Sequence, residues 1–417
     1  MADPSTSPPL TRDSVLEARE LIREFVHHTP TLTNATLDRI ASTPREDADG
    51  GEEGGEEEGG EKKPAARPRI RLYFKCENLQ RIGAFKIRGA FHALERLKRE
   101  PGWEEGGGRE RGVVTHSSGN HAQALALAAR TNGIPAHIVM PTISAKPKIA
   151  ATKGYGANVV FSGSTSVERE AVVAKVIEET GARLVPPYDH PDIVLGQGTL
   201  GLELQEDARD IIAAAAGAEP SQEVESDNHR AAAPAELGFR APATRPKLPA
   251  GKKTRPALDA ILAPCGGGGM LSGVALSCEG TGIRVFGCEP WFEGADDGKR
   301  GYESGARVEA VSTLTVADGL RTPLGKVPWD IIYSRRLVAG FYSVSEDEIV
   351  AALRLVYERL KMVIEPSAAV PLAVALFNED FREMVEREGG EDGWDVGVVF
   401  SGGNVELEAL GKLFAAS

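Results

Sequence analysis

Cysteine is scarce in this sequence: Cys76, Cys265, Cys278 and Cys288 are the only four in 417 residues. They show no CxxC spacing and no neighbouring His pair, which argues against a disulfide scaffold and against structural zinc. The expectation is reduced, partly buried thiols in an intracellular protein. No run reaches the ~18 apolar residues that a membrane-spanning helix needs. The N-terminus, Met1 to Pro9, has neither a basic start nor an apolar core. No secretory signal is therefore expected, and the cytoplasm is the default location. Positive charge is also in deficit, with 48 Lys and Arg against 61 Asp and Glu, a formal charge of -13. A nucleic-acid partner is not expected, because phosphate neutralisation needs a basic surface.

What is present is an ordinary globular composition, 41% hydrophobic and 26% charged, long enough for two or three core-forming units. Two stretches cannot add to a core. Residues 46–61 hold nine acids, no base, and otherwise only glycine and one alanine. They read as a disordered loop inside an insertion of about 45–69, because too little apolar surface offsets the entropy of ordering them. Residues 212–256, rich in Ala, Pro, Glu and Lys, read as a second inserted surface loop. Without the nine acids, 52 acids stand against 48 bases, so the charge excess belongs mostly to a loop.

Elsewhere, short β-type runs alternate with helical ones. Strands are expected at 71–77, 112–116, 136–140, 158–161, 183–185, 258–263, 284–288, 337–344 and 396–400. Helices are expected near 13–26, 86–99, 120–131, 144–155, 166–179, 199–210, 269–278, 345–361, 367–377 and 404–414. The first is opened by a Ser14-Val15-Leu16-Glu17 capping box. Such alternation, with wholly apolar strands like Val396 to Phe400, implies an α/β fold of parallel sheets covered by helices. Ligands of such folds sit where strands hand over to helices.

Four segments lie at such points. In Pro264-Cys265-Gly266-Gly267-Gly268-Gly269-Met270, the glycines let backbone N–H groups converge ahead of a helix whose dipole adds positive potential. This is an anion cradle suited to phosphate, and it lacks the spacing of a Walker or dinucleotide loop. Lys86, flanked by Phe85 and Ile87, follows a strand. Desolvated, its amine is a nucleophile; exposed, it is an ordinary helix-start lysine. Thr115-His116-Ser117-Ser118-Gly119-Asn120-His121 gathers hydroxyls, an amide and free helix N–H groups at a spot suited to a carboxylate, although simple capping by Ser117 or Ser118 explains the same residues. Ser401-Gly402-Gly403-Asn404 repeats the layout, with the same alternative.

Taken together and in this order, the four segments resemble the fold-type-II pyridoxal-phosphate enzymes, most of all the serine racemase and serine/threonine dehydratase group. The match continues through Gly196-Gln197-Gly198-Thr199, Glu289-Pro290, Ala317-Asp318-Gly319 and Ile364-Glu365-Pro366-Ser367-Ala368, and covers about 72–206 and 258–413. The resemblance implies two parallel-sheet, three-layer domains with the cofactor in the cleft between them. Residues 1–111 plus 190–417 would form the large cofactor-binding domain, and 112–189 the small one.

By similarity, Lys86 forms the Schiff base with pyridoxal 5'-phosphate and then removes the substrate α-proton. Gly266, Gly267, Gly268, Gly269 and Met270 hold the phosphate, Phe85 packs on the ring, Asn120 meets its 3'-oxygen and Ser401 its pyridine nitrogen. Ser117, Ser118, Asn120 and His121 hold the substrate carboxylate. Ser118 also stands where serine racemases keep the base for the opposite face. The implied activity is conversion of L-serine or L-threonine to oxo acid and ammonia, with racemisation of serine as a second outcome. A 3-hydroxyaspartate dehydratase and a cysteine-synthase-like β-replacement enzyme are the alternatives. Glu289, the Ala295 carbonyl and Asp297 resemble the group's divalent-cation site, for Mg2+ or another hard ion, although the link through residues 291–294 is two residues longer than usual. Ala84 departs from the serine common before Phe-Lys. The partners implied are a small amino acid and a second copy of the chain, as a homodimer.

Overall fold

The computed structural model describes residues 3–45, 64–117, 119–144, 146–163, 165–216 and 257–415. Ser118, residues 46–61 and most of 212–256 lie outside them. The strands are β1 (Thr31–Leu32), β2 (Ile70–Cys76), β3 (Val113–His116), β4 (Ala136–Pro141), β5 (Asn158–Ser162), β6 (Arg183–Leu184), β7 (Ala260–Pro264), β8 (Arg284–Pro290), β9 (Gly340–Val344) and β10 (Trp394–Phe400). The helices are α1 (Arg12–Ile22), α2 (Ala35–Ser42), α3 (Lys86–Leu97), α4 (Gly108–Arg111), α5 (Asn120–Thr131), α6 (Lys146–Gly154), α7 (Ser166–Thr180) and α8 (Pro191–Ala215). After β7 come α9 (Gly269–Ser277), α10 (Asp297–Ser304), α11 (Lys326–Trp329), α12 (Glu346–Leu355), α13 (Pro366–Phe377), α14 (Glu379–Gly389) and α15 (Leu407–Ala415).

Two sheets result. The larger runs β1-β2-β10-β7-β8-β9 and the smaller β5-β4-β3-β6. Every pairing is parallel except β1 with β2. Alternation along the strands makes each sheet the middle of three layers. Leu72, Phe74, Val396, Val398 and Leu262 pack against α13 on one face. Tyr73, Val399, Ile261 and Ala263 pack against α8 and α9 on the other. In the small sheet, Val113, Ile138 and Met140 face α5, while Val114 and Val139 face α7. Ile87, Phe91 and Leu94 of α3 share a buried cluster with Leu125 and Ala128 of α5. The helix that begins at Lys86 thus packs on the helix that begins at Asn120.

Some expectations are corrected. The first helix is capped by Thr11, whose side chain accepts from the Ser14 N–H, so Ser14 lies inside it and opens no capping box. The helix expected at 199–210 starts at Pro191 and continues to Ala215, so its last turn takes residues assigned to the second insertion. Gly196 and Gly198, inside this helix, serve close packing. A Cβ on Gly196 would stand 2.8 Å from the Arg88 carbonyl oxygen, and one on Gly198 2.6 Å from that of Gly273. The first insertion is also narrower than drawn. Ala66 is buried, and the Ala66 and Arg67 N–H groups donate to Glu379 and Glu386 of α14. The strand β1 was missed because two residues carry no periodicity. The helices α2, α4, α10, α11 and α14 were also missed: α4 and α11 are four-residue turns, α2 and α10 have eight residues each, and α14 is rich in charge. None of the described helices is long and apolar enough to cross a membrane.

Candidate active site

Lys86 is the first residue of α3, and no side chain caps that helix. The approach is fixed by backbone contacts: Ala84 bridges Gly402, and the Phe85 N–H donates to the Ser401 carbonyl at 3.0 Å. Lys86 therefore emerges beside the end of β10. Its Nζ donates to the Pro187 carbonyl at 2.8 Å and lies 5.1 Å from the centre of the Phe85 ring. Desolvation pulls the amine down to about 8, partly opposed by the Glu365 carboxylate. Of the two readings of Lys86, the structure has the desolvated one, which holds a substantial neutral fraction near pH 8.

The tetraglycine turn lies between β7 and α9. Gly268 has φ +82°, a left-handed conformation that favours glycine. A Cβ on Gly267 would come within 2.4 Å of the Tyr188 ring, and one on Gly266 within 3.1 Å of the Gly319 carbonyl oxygen. Bare backbone is thus required on both sides, leaving N–H groups at the start of α9, whose second residue, Met270, is buried in the core. Tyr188 closes the cradle, its hydroxyl pushed up to about 12 by burial and the nearby Asp189. Pro187 and Tyr188 were missed in the sequence. The signal for them was weak: a short strand, β6, running into Pro-Pro-Tyr.

The 117–121 loop opens α5. The Ser117 hydroxyl accepts from the Gly119 N–H at 3.3 Å, so it acts as a local cap. The Asn120 amide spans two neighbours. Its Nδ2 donates to both Glu365 oxygens at 3.0 and 3.2 Å, and its Oδ1 accepts from Asn404 Nδ2 at 2.8 Å. Asn404 Nδ2 also donates to the Ile82 carbonyl. Glu365 and Asn404 therefore fix which way the Asn120 amide faces, a function the sequence did not assign to them. Burial and Asp318 push the Glu365 carboxyl up to about 7. The His121 ring faces the Val185 carbonyl through Nε2 at 3.2 Å, so Nε2 carries the hydrogen and Nδ1 is a bare acceptor. Burial and the Lys86 amine hold this imidazole neutral, down to about 3. The ring has no donor to spare for a carboxylate, so a contact from His121 must come from its main chain in the first turn of α5. Ser401 is buried where β10 ends.

Glu289, Ala295 and Asp297 are all buried. The extra length at 291–294 is absorbed by a short 3-10 turn, Phe292–Gly294, in which Glu293 takes φ +50°. Glu289 accepts from the N–H groups of Gly298 and Lys299 at 3.1 and 2.9 Å, and Asp297 Oδ2 from that of Leu324 at 3.1 Å. Asp297 Oδ1 is buried with no partner. Burial and mutual repulsion push Glu289 well above the usual carboxylate range, and burial takes Asp297 up to about 6. Among the described residues no three His, Cys, Asp or Glu side chains converge. A cation here would take two carboxylates and a carbonyl, and the orphaned Asp297 oxygen fits one.

A desolvated lysine on Pro187, beside a Tyr188 that packs on a glycine turn, in a fold of two largely parallel sheets, fits a class of cofactor enzyme, and comparison with known proteins agrees. The family model described as "Pyridoxal-phosphate dependent enzyme" matches residues 62–219 and 249–402. The chain belongs to this family. It is 35% identical to a serine racemase of Arabidopsis thaliana over 97% of its own length and 96% of that protein. It is 34% identical to an L-threo-3-hydroxyaspartate ammonia-lyase of Saccharomyces cerevisiae over 97% and 96%. The crystal structure of the Dictyostelium discoideum serine racemase superposes with a TM-score of 0.69 at 34% identity, covering 95% of this chain and 99% of that one. Pyridoxal phosphate fits the residues present: a half-buried, desolvated amine, an aromatic ring beside it and a glycine turn so close to Tyr188 and Gly319 that only bare backbone is accommodated.

Proposed function

We propose that this chain is a serine racemase-type ammonia-lyase that converts L-serine or L-threonine to the oxo acid and ammonia and also racemises serine. The observation that carries this is the desolvated Lys86 amine on the Pro187 carbonyl, next to Tyr188, whose ring packs against the glycine turn. Bound pyridoxal phosphate supplies the sink for the electrons left when the α-proton is removed. The protein supplies the rest. The turn Gly266, Gly267, Gly268, Gly269 and Met270 holds the phosphate through main-chain N–H groups. Phe85 lies along the ring, and Asn120, aimed by Glu365 and Asn404, donates to its oxygen. Ser401 offers the ring nitrogen a neutral hydroxyl, which leaves the sink moderate and favours elimination. Lys86 takes the α-proton from one face. Ser118 holds or returns it on the other and, with Ser117 and the first-turn N–H groups of α5, binds the carboxylate.

Glu289, Ala295 and Asp297 hold a divalent cation. The enzyme works as a cytoplasmic homodimer, with residues 112–189 as the smaller domain. A second reading, dehydration of 3-hydroxyaspartate, is favoured by the identity to the yeast ammonia-lyase. The test is chiral product analysis with L-serine, L-threonine and 3-hydroxyaspartate for wild type, Lys86→Ala and Ser118→Ala. Lys86→Ala abolishes every product. Ser118→Ala abolishes D-serine formation and keeps oxo acid if elimination proceeds from the lysine face alone. Product formation by Lys86→Ala, or a β-replacement product with added sulfide in place of oxo acid, overturns the proposal.

A further inference from the structure

Two residues beyond Lys86 stands Arg88, with no exposed surface. Its guanidinium holds two carboxylates at once. Nε and one terminal nitrogen reach both Glu77 oxygens at 2.8 Å, and the two terminal nitrogens reach the Glu203 oxygens at 2.7 and 2.8 Å. It also donates to Thr199 Oγ1 and the His27 carbonyl, both at 3.2 Å. Glu77 follows β2 directly, and Glu203 and Thr199 belong to α8. The cluster continues with Lys75, which bridges Glu203 at 2.8 Å and Asp207 at 3.2 Å. Gly89 adds a second tie to α8, its N–H donating to Gln197 Oε1 at 3.2 Å.

We infer that Arg88 is the positioning residue for Lys86. An uncapped helix N-terminus frays, and α3 begins at the residue whose amine must meet the cofactor. The forked guanidinium ties that first turn to β2 on one side and α8 on the other. A planar fork with bidentate partners fixes orientation as well as distance, which a single ammonium does not. The cluster does not act on the amine by charge, since the group that raises the Lys86 pKa is Glu365. Its effect is geometric, on how often the amine points at the cofactor aldehyde.

The inference rests on the reading of Lys86 as the cofactor lysine, and the test separates the two. Apoprotein is mixed with pyridoxal phosphate, and the absorbance band of the lysine-bound cofactor is followed well below the melting temperature of each variant. Borohydride fixation and peptide mass locate the adduct. If wild type forms no band, or the adduct is not on Lys86, the reading of the site fails. If the site reading holds, Arg88→Lys slows band formation at least about tenfold, and Glu203→Gln slows it less. The control is Arg382→Lys, a buried arginine bonded to carbonyls of Ala41 and Thr43 near α2. It loads at the wild-type rate even where its melting temperature falls as far. Should both cluster variants fail to fold, Thr199→Val removes one Arg88 bond together with the hydroxyl's bond to the Gly196 carbonyl in the same helix, and decides the matter by loading more slowly or not. Wild-type loading rates in the folded cluster variants, or equal slowing in Arg382→Lys, overturn the inference.

Discussion

Among the described residues, the buried charges around Arg88 and those around Glu289 are built on opposite plans. Around Arg88, negative and positive groups alternate: Glu77, Arg88, Glu203, Lys75 and Asp207, with Asp207 also taking hydrogen bonds from His28 and Thr31. Each charge has a partner, and Glu203 is held well below the usual carboxylate range by Arg88 and Lys75 despite its burial. Around Glu289 and Asp297, two carboxylates share a pocket with main-chain N–H groups and the Cys265 thiol, Arg300 offsets Asp297 only in part, and both are pushed upward. A compensated cluster holds neighbouring elements together once it is formed. A partly compensated one keeps its carboxyls raised. The difference separates the cluster proposed to position Lys86 from the pair proposed to hold a cation.

The sharpest way to break the comparison is to remove the centre of the compensated cluster. Arg88→Met leaves Glu77 and Glu203 buried and facing each other. It should lower unfolding free energy by about 3–5 kcal/mol, read as a lower denaturant midpoint. Next comes supply of a cation to the other pair. Mg2+ at about a hundredfold excess over its Kd should stabilise the wild type by about 2.7 kcal/mol, raise its melting temperature, and do neither for Asp297→Asn. In chelated, cation-free protein the same Asp297→Asn should be neutral or stabilising by about 1 kcal/mol. A loss as large as that of Arg88→Met would erase the distinction.

Glu365 sharpens the comparison through pH. Its carboxyl is raised to about 7, so the folded apoprotein binds that proton more tightly than the unfolded chain. Its contribution to stability is full below the ordinary carboxylate range and is lost as pH rises through about 7. Melting curves of wild-type apoprotein should therefore fall between pH 5 and 8 relative to Glu365→Gln, which keeps an acceptor for Asn120. Parallel curves would refute this. The smallest effect is expected from the partly exposed pair Lys148–Asp318, 2.7 Å apart. Lys148→Ala should change stability by about 0–1 kcal/mol.

The sequence marked the α/β alternation because wholly apolar strands such as β10 and glycine-rich turns leave compositional traces that need no partner to be read. The same traces marked Lys86 and the tetraglycine turn as candidates. They left open whether Lys86 is solvated, because desolvation depends on what lies opposite, here Pro187 and Phe85. They also gave Glu365 and Asn404 motif membership without a role. Residues 120, 365 and 404 meet only when α5 comes up against the ends of β10 and α13.

By itself, then, the sequence determined which residue types stand at the strand-to-helix turns, since local propensity and glycine's freedom act within a few residues. Tertiary structure alone decided the chemistry of those residues. Burial holds the His121 ring neutral and lowers the Lys86 amine to about 8, and packing of α8 makes Gly196 and Gly198 close-contact positions. Folding brought Arg88 between two carboxylates more than 100 residues apart in the chain, Glu77 and Glu203. Proton affinity and orientation depend on distance in space, and no spacing along the chain encodes it.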